Sequence, residues 1–152
     1  MAVSHDVIGT EFPAHTVDVE RGRLRFFAKA TGQSDPVYSD PEAAKAAGHR
    51  DLLVPPTFLF CLEGERPPGS LNLLDVIKVD IRVVLHGEQG FTYHEPIHAG
   101  DQLTFTSKIT DVFSKKGGAL EFVVRRTEVT RDGDLVAELV NSLVVRSLKG
   151  AK

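Results

Sequence analysis

The chain has 152 residues, 41% hydrophobic and 26% charged, with a net charge of −3, which is the balance of one ordinary globular domain and excludes a disordered or fibrous chain. No apolar run approaches the ~20 residues that span a bilayer, and the cationic residues form no basic stripe, Arg125-Arg126 being too short, so neither membrane insertion nor nucleic-acid binding is expected. A single cysteine, Cys61, excludes a disulfide framework and a cysteine-based zinc site.

In chain order, the opening Met1-Ala2-Val3-Ser4-His5-Asp6 has neither the basic nor the apolar region of a secretory signal, and a cytoplasmic location is expected. Leu24, Phe27, Ala28 and Thr31 then recur at helical spacing from about Glu20, with Gly32 placed to end the helix at C′. Asp40 as N-cap and Pro41 at the first helical position predict a second short helix over residues 41–47, stopped by Gly48. Pro55-Pro56 precedes the apolar run 57–62, read as a short buried helix that holds Cys61 as an inert core thiol; a buried strand is the alternative that periodicity leaves open. Residues 63–77, through Gly64-Glu65-Arg66-Pro67-Pro68-Gly69-Ser70, predict an irregular loop.

The carboxy-terminal half reads as strands. Phe91-Thr92-Tyr93-His94 is one, and His98-Ala99-Gly100-Asp101 is the turn after it. Residues 102–109 alternate apolar with polar, Lys115-Lys116-Gly117-Gly118 supplies a turn, and residues 120–129 are β-branched and aromatic. Asp132-Gly133 favours a tight hairpin into a last strand over residues 135–146. Helices first and an antiparallel meander after them indicate an α+β domain with the helices against one face of the sheet.

Two motifs carry a resemblance. Thr31-Gly32-Gln33-Ser34-Asp35-Pro36-Val37-Tyr38-Ser39-Asp40 resembles the hydration loop G-D-x-N-P-x-H-x-D of MaoC-like (R)-specific enoyl-CoA hydratases, matching at Gly32, Pro36 and Asp40. The family's catalytic Asp falls on Gln33, its Asn on Asp35 and its catalytic His on Tyr38. Val84-Leu85-His86-Gly87-Glu88-Gln89, with Tyr93-His94-Glu95-Pro96-Ile97, Ala99-Gly100-Asp101 and Leu53-Val54-Pro55-Pro56-Thr57-Phe58, is similar to the non-catalytic half of double-hot-dog hydratases. It is also similar to the non-catalytic subunits of mycobacterial-type hydroxyacyl carrier-protein dehydratases. The similarity spans residues 7–146, so the chain is expected to be a single hot-dog domain over residues 1–152, a curved antiparallel sheet wrapped around a central helix.

The resemblance implies a non-catalytic, acyl-chain-binding subunit of an enoyl-thioester hydratase or 3-hydroxyacyl-thioester dehydratase. Its substrate would be an acyl-CoA or acyl carrier protein thioester, and its partner a second hot-dog chain bearing the Asp/His pair, or a second copy of itself. Pro56, Thr57, His86, Gly87, Glu88 and Gln89 are the candidate substrate-binding residues. Hydration requires a base on the attacking water, an acid at the α-carbon and donors for the thioester oxygen. An amide at Gln33 has no basic site near neutral pH, and a phenol with pKa about 10 at Tyr38 replaces imidazole poorly.

Asp35 is the nearest replacement base, set against a role capping the turn before Pro36; Asp40 is read as a helix cap. His86 is set between a place beside the thioester and a hydrogen bond within an 86–89 turn, with Gly87 permitting close backbone approach. His86 and His94, eight residues apart on a strand, are expected on one face but too far apart for a shared metal. His5, His15, His49 and His98 are expected to be solvated. Adding water changes no oxidation state, so no redox cofactor is expected, and no metal is expected because the sequence shows no cluster of ligating residues. The other readings are a homo-oligomeric acyl-thioester binder without hydro-lyase chemistry, and an independent hydratase or thioesterase using Asp35 or His86.

Overall fold

A computed structural model describes residues 3–147. Its first strand, β1 (His15–Asp18), is only four residues long and was not legible as a strand. Helix α1 (Arg21–Ala30) follows, and it buries Leu24 and Ala28, two of the residues whose spacing predicts it. It ends in a Schellman turn: Gly32 has φ +70°, and the Gln33 N–H bonds back to the Ala28 carbonyl at 2.8 Å. Helix α2 (Pro41–Ala46) starts under the Asp40 cap as expected and is stopped by Gly48, at φ +89°.

The apolar run after Pro55-Pro56 is helical, which decides against the strand reading; α3 (Leu59–Glu63) starts later and ends one residue later than expected. Residues 64–72 are irregular, but α4 (Leu73–Ile77) corrects the single-loop expectation. Its physical signal is a reciprocal capping box, in which Asn72 accepts from the Asp75 N–H while the Asp75 carboxylate accepts from the Asn72 N–H.

Strands β2 (Val84–Tyr93), β3 (Gln102–Lys115), β4 (Leu120–Arg131) and β5 (Asp134–Arg146) complete a five-stranded antiparallel sheet in the order β1-β3-β4-β5-β2. The β4–β5 turn carries positive φ at both Asp132 (54°) and Gly133 (88°), the conformation an Asp-Gly hairpin requires. The curved sheet wraps α3, whose Leu59 and Leu62 are fully buried, in the hot-dog arrangement.

The inward face of the sheet is apolar at both ends. Leu103, Phe105, Val129 and Leu139 join the core around α1 and α3, whereas Ile109, Val112, Val123 and Val145 join a second core with Phe12, Leu73 and Ile77. Each fully buried Leu- or Phe-sized side chain contributes about 1.5–3 kcal/mol. Between these two cores the inward positions turn polar, at Ser107 on β3, Arg125 and Thr127 on β4, and Asn141 on β5.

Candidate functional site

The loop after α1 is built by its own caps. Asp35 accepts the Val37 N–H at 3.0 Å and starts a 3-10 turn over Pro36–Tyr38, and Asp40 accepts the Glu42 N–H at 2.9 Å. The loop is tied to α1 by Arg25, whose Nε donates to the Ser39 carbonyl at 2.9 Å. Gln33 and Asp35 lie exposed, and Tyr38 is half-buried against the main core. Of the two residues at the dyad positions, Tyr38 lines a largely apolar cleft of about 370 Å³ together with Leu53, Val54, Pro56, Tyr93 and Ile97. Tyr93 donates its hydroxyl to the Pro56 carbonyl, which ties the approach to α3 to strand β2. Burial first, then the neighbouring Tyr38, holds the Tyr93 phenol well above its ordinary pKa, so it stays protonated.

The His86-Gly87-Glu88-Gln89 segment is a strand with a bulge, which corrects the turn reading. Pairing with β5 jumps from His86↔Leu143 to Glu88↔Ser142, leaving Gly87 as the extra residue. The close approach that Gly87 permits is to β5: a Cβ there would stand 2.6 Å from Val144 Cγ2 and 3.0 Å from the Ser142 oxygen. One inserted residue inverts the alternation, so His86 and His94 fall on opposite faces of the sheet and not on one.

His86 faces inward, with its Nε2 2.9 Å from the Asn141 amide nitrogen and 3.2 Å from the Glu88 carbonyl oxygen, and the same Asn141 amide donates to Gln89 Oε1 at 3.1 Å. The ring stacks on Phe60 of α3 at 5.1 Å between centroids. His94 faces outward and binds Glu138 at 2.8 Å.

The elements that carry the candidate substrate-binding residues meet along a seam between the start of α3 and the outer strand β2, joined by Tyr93 on Pro56 and by His86 on Phe60. Pro56 and Thr57 stand exposed on the α3 side, His86 and Glu88 exposed on the β2 side, and Gln89 and Gly87 against β5. Three residues of this seam were missed: Phe60, Tyr93 and Asn141. Only Asn141 had a signal, as a polar residue at an inward position of an otherwise apolar strand.

A second set of missed groups lies further in. Glu63, 2% exposed at the end of α3, accepts from the Thr127 hydroxyl and pairs with Arg125 Nη2 at 3.1 Å. Thr127 and Ser107 are 3.1 Å apart, and Arg66, from the loop after α3, reaches Ser107 Oγ at 3.4 Å while lying over the Phe12 ring. His15 is buried and stacked on Phe105, and His98 is buried with its Nε2 3.1 Å from His49 Nδ1, so the expectation that these histidines are solvated fails. Short strands and tight turns can bury a histidine that looks like a loop residue in sequence.

Burial first and the Arg66 cation second hold His15 below the ordinary histidine pKa. Burial first, then Arg50, does the same for His98. Beside His98, the Asp101 carboxylate is 2% exposed and paired with Arg131 at 2.8 Å and with Arg50. Among the described residues no group of three or more His, Cys, Asp or Glu is arranged to hold a metal ion, and no helix is long and apolar enough to cross a membrane.

Residues 6–139 match the model of the FAS1-like, dehydratase domain region family. The UPF0336 protein of Streptomyces avermitilis is 38% identical over 149 residues, covering 97% of each chain. Among solved structures, the C-terminally truncated HadBC (3R-hydroxyacyl-ACP dehydratase) complex of Mycobacterium tuberculosis matches with a TM-score of 0.76 and 30% identity, over 91% of this chain and 97% of that one. The ChsH1-ChsH2 complex of the same organism matches in fold, with a TM-score of 0.75 and 22% identity over 93% and 91%. The chain belongs to the FAS1-like dehydratase-region family and has the hot-dog fold.

Proposed function

We propose that this member of the dehydratase-region family is the silent half of an (R)-specific enoyl-thioester hydratase, or of the 3-hydroxyacyl-thioester dehydratase that runs the same reaction in reverse. In this reading it binds the acyl thioester at the seam between α3 and β2, and a second hot-dog chain supplies the carboxylate and imidazole. The observation that carries the reading is the replacement of that pair by Gln33 and Tyr38, with Asp35 already engaged as a turn cap. An amide has no basic site near neutral pH, and a phenol, with an ordinary pKa of about 10, replaces imidazole poorly as the base on water.

What this chain would contribute is binding and polarisation. The His86 imidazole can donate a hydrogen bond to a thioester oxygen as enolate charge develops, with Asn141 and the Glu88 carbonyl holding the ring at Nε2 and Phe60 stacked over it. A partner chain is supported by the position of β2 on the outside of the sheet, where a second strand can pair. It is supported too by the 30% identity to a chain of the HadBC complex.

The test is hydration of trans-2-butenoyl-CoA by the purified chain, by a hot-dog chain of the same genome bearing Asp-x-Asn-Pro-x-His, and by the mixture. Turnover is expected in the mixture, at a rate well above that of either chain alone. Robust turnover by this chain alone would overturn the silent-half reading.

One observation favours a second reading, an enzyme acting by itself. His94 and Glu138 form an imidazole–carboxylate pair at 2.8 Å, and His94 also borders the Tyr38 cleft. Under that reading the lone chain turns over and Glu138→Gln abolishes it.

A further inference from the structure

The polar residues between the two cores form a continuous band across the inward face of the sheet. It starts at the edge with His86 and Gln89 on β2, passes Asn141 on β5, reaches Arg125 and Thr127 on β4, and ends at Ser107 on β3. Helix α3 roofs both ends of it, Phe60 stacking on His86 at the edge and Glu63 closing on Thr127 and Arg125 inside. Arg66 seals the far end through Ser107. This band is expensive to bury, since an ion pair removed from water recovers its desolvation only with good geometry and filled hydrogen-bonding capacity. Arg125 Nε remains buried without a partner, so the cluster is not an optimised core element.

The consequence for a ligand follows from position. Adjacent strands lie about 4.8 Å apart, so Arg125 and Glu63 stand roughly 10 Å inward from the β2 edge. An extended chain advances about 3.3–3.6 Å for every three bonds, so roughly eight bonds of an acyl tail bring it from the edge to the ion pair. A methylene chain continuing past that point would have to push apart a buried ion pair and leave its charges without hydrogen-bond partners.

Building on the seam as the thioester site, we propose that the Glu63–Arg125 pair, with Thr127 and Ser107, is the depth stop of the acyl site, restricting it to short acyl groups. Glu63 and Arg125 are then specificity residues, distinct from the edge residues that meet the thioester.

The experiment measures kcat/KM of the complex of this full-length chain with its catalytic hot-dog partner, for trans-2-butenoyl-CoA and trans-2-dodecenoyl-CoA. A preference of roughly tenfold or more for the butenoyl ester is expected, the scale on which an apolar pocket discriminates small differences in size. The double variant Glu63→Leu with Arg125→Leu removes both charges together and is expected to raise the dodecenoyl rate relative to the butenoyl rate by roughly tenfold. A wild-type complex that uses both esters equally, or prefers the longer, would overturn the depth stop alone, whether or not the double variant folds. A folded double variant with an unchanged length profile would do the same. No rate gain with either ester on adding this chain to the partner would overturn the subunit reading and the depth stop together.

Discussion

Replacing Gly87 by alanine asks whether the β-bulge builds the edge site. The added Cβ would lie 2.6 Å from Val144 Cγ2 and 3.0 Å from the Ser142 oxygen. Carbon atoms rest ~3.5–4.0 Å apart, so the first contact falls short by roughly 1 Å. Val144 can turn only against its packed neighbours, and the Ser142 backbone is held on both sides, paired with Val124 of β4 and Glu88 of β2. Overpacking of this kind costs about 1–3 kcal/mol.

If β2 relieved the clash by losing the bulge, alternation would swing His86 to the outer face and break its bond with Asn141. Gly87→Ala is therefore expected to lower the urea midpoint at unchanged m-value by an amount equivalent to about 1–3 kcal/mol, and to move the His86 imidazole resonances. Adding Val144→Ala removes the side-chain contact and leaves the carbonyl one, so a double-mutant cycle is expected to show coupling of about 1 kcal/mol. A variant with the parental midpoint and unmoved His86 signals would refute the reasoning.

Other perturbations reach different parts of the molecule. Glu63→Ala leaves the Arg125 charge buried without its partner and is expected to cost about 3–5 kcal/mol in chemical denaturation, whereas the paired Leu substitution is expected to be close to neutral. An equal loss in both would show that volume, not charge, is what matters there. His15 and His98 have folded-state pKa values held below the ordinary histidine value, so the unfolded chain takes up their protons first. Their contribution to stability is fully present above an unfolded pKa of about 6.5 and is lost as pH falls through that value towards the folded pKa values. Denaturation midpoints measured down from neutral pH should fall across this window, and His15→Phe with His98→Asn should flatten the fall; a slope unchanged in the double variant would count against it. In the assembled complex, His86→Ala is expected to lower kcat by roughly tenfold or more with little change in fold, and Asp35→Asn to leave it unchanged. The reverse ranking would make Asp35 the working residue.

Legibility in the sequence followed the locality of the cause. Helix α1 with its Gly32 stop, the Asp40-Pro41 start of α2 and the Asp132-Gly133 hairpin are set by neighbouring residues, and each lies where the pattern put it. The exposed roles of Asp35 and Asp40 as caps were readable for the same reason. Partner-dependent features were not. The Gly87 bulge arises from registration against β5, and one unrecognised insertion was enough to put His94 on the wrong face. Glu63 looked like the first residue of a polar loop, because its partners Thr127 and Arg125 are more than 60 positions away in sequence. Arg125 was set aside as part of a short basic pair when it is one end of a buried ion pair.

The loop after α1 separates folding from chemistry residue by residue. Its three matches to the hydratase motif all have structural work: Gly32 adopts φ +70° to end α1, Pro36 opens the turn that Asp35 caps, and Asp40 caps α2. Of its three departures, Asp35 in place of Asn still caps the turn, while Gln33 and Tyr38 fall where neither a backbone conformation nor a cap dictates the side chain. A loop that had lost its role altogether would have no reason to keep a left-handed glycine and two Asx caps in register. On the silent-half reading proposed above, a loop relieved of proton transfer is free to carry an amide and a phenol in place of the carboxylate and the imidazole. Keeping the first set while releasing the second fits that reading, in which the fold serves the surface it presents, including the Tyr38 cleft and the seam beside β2.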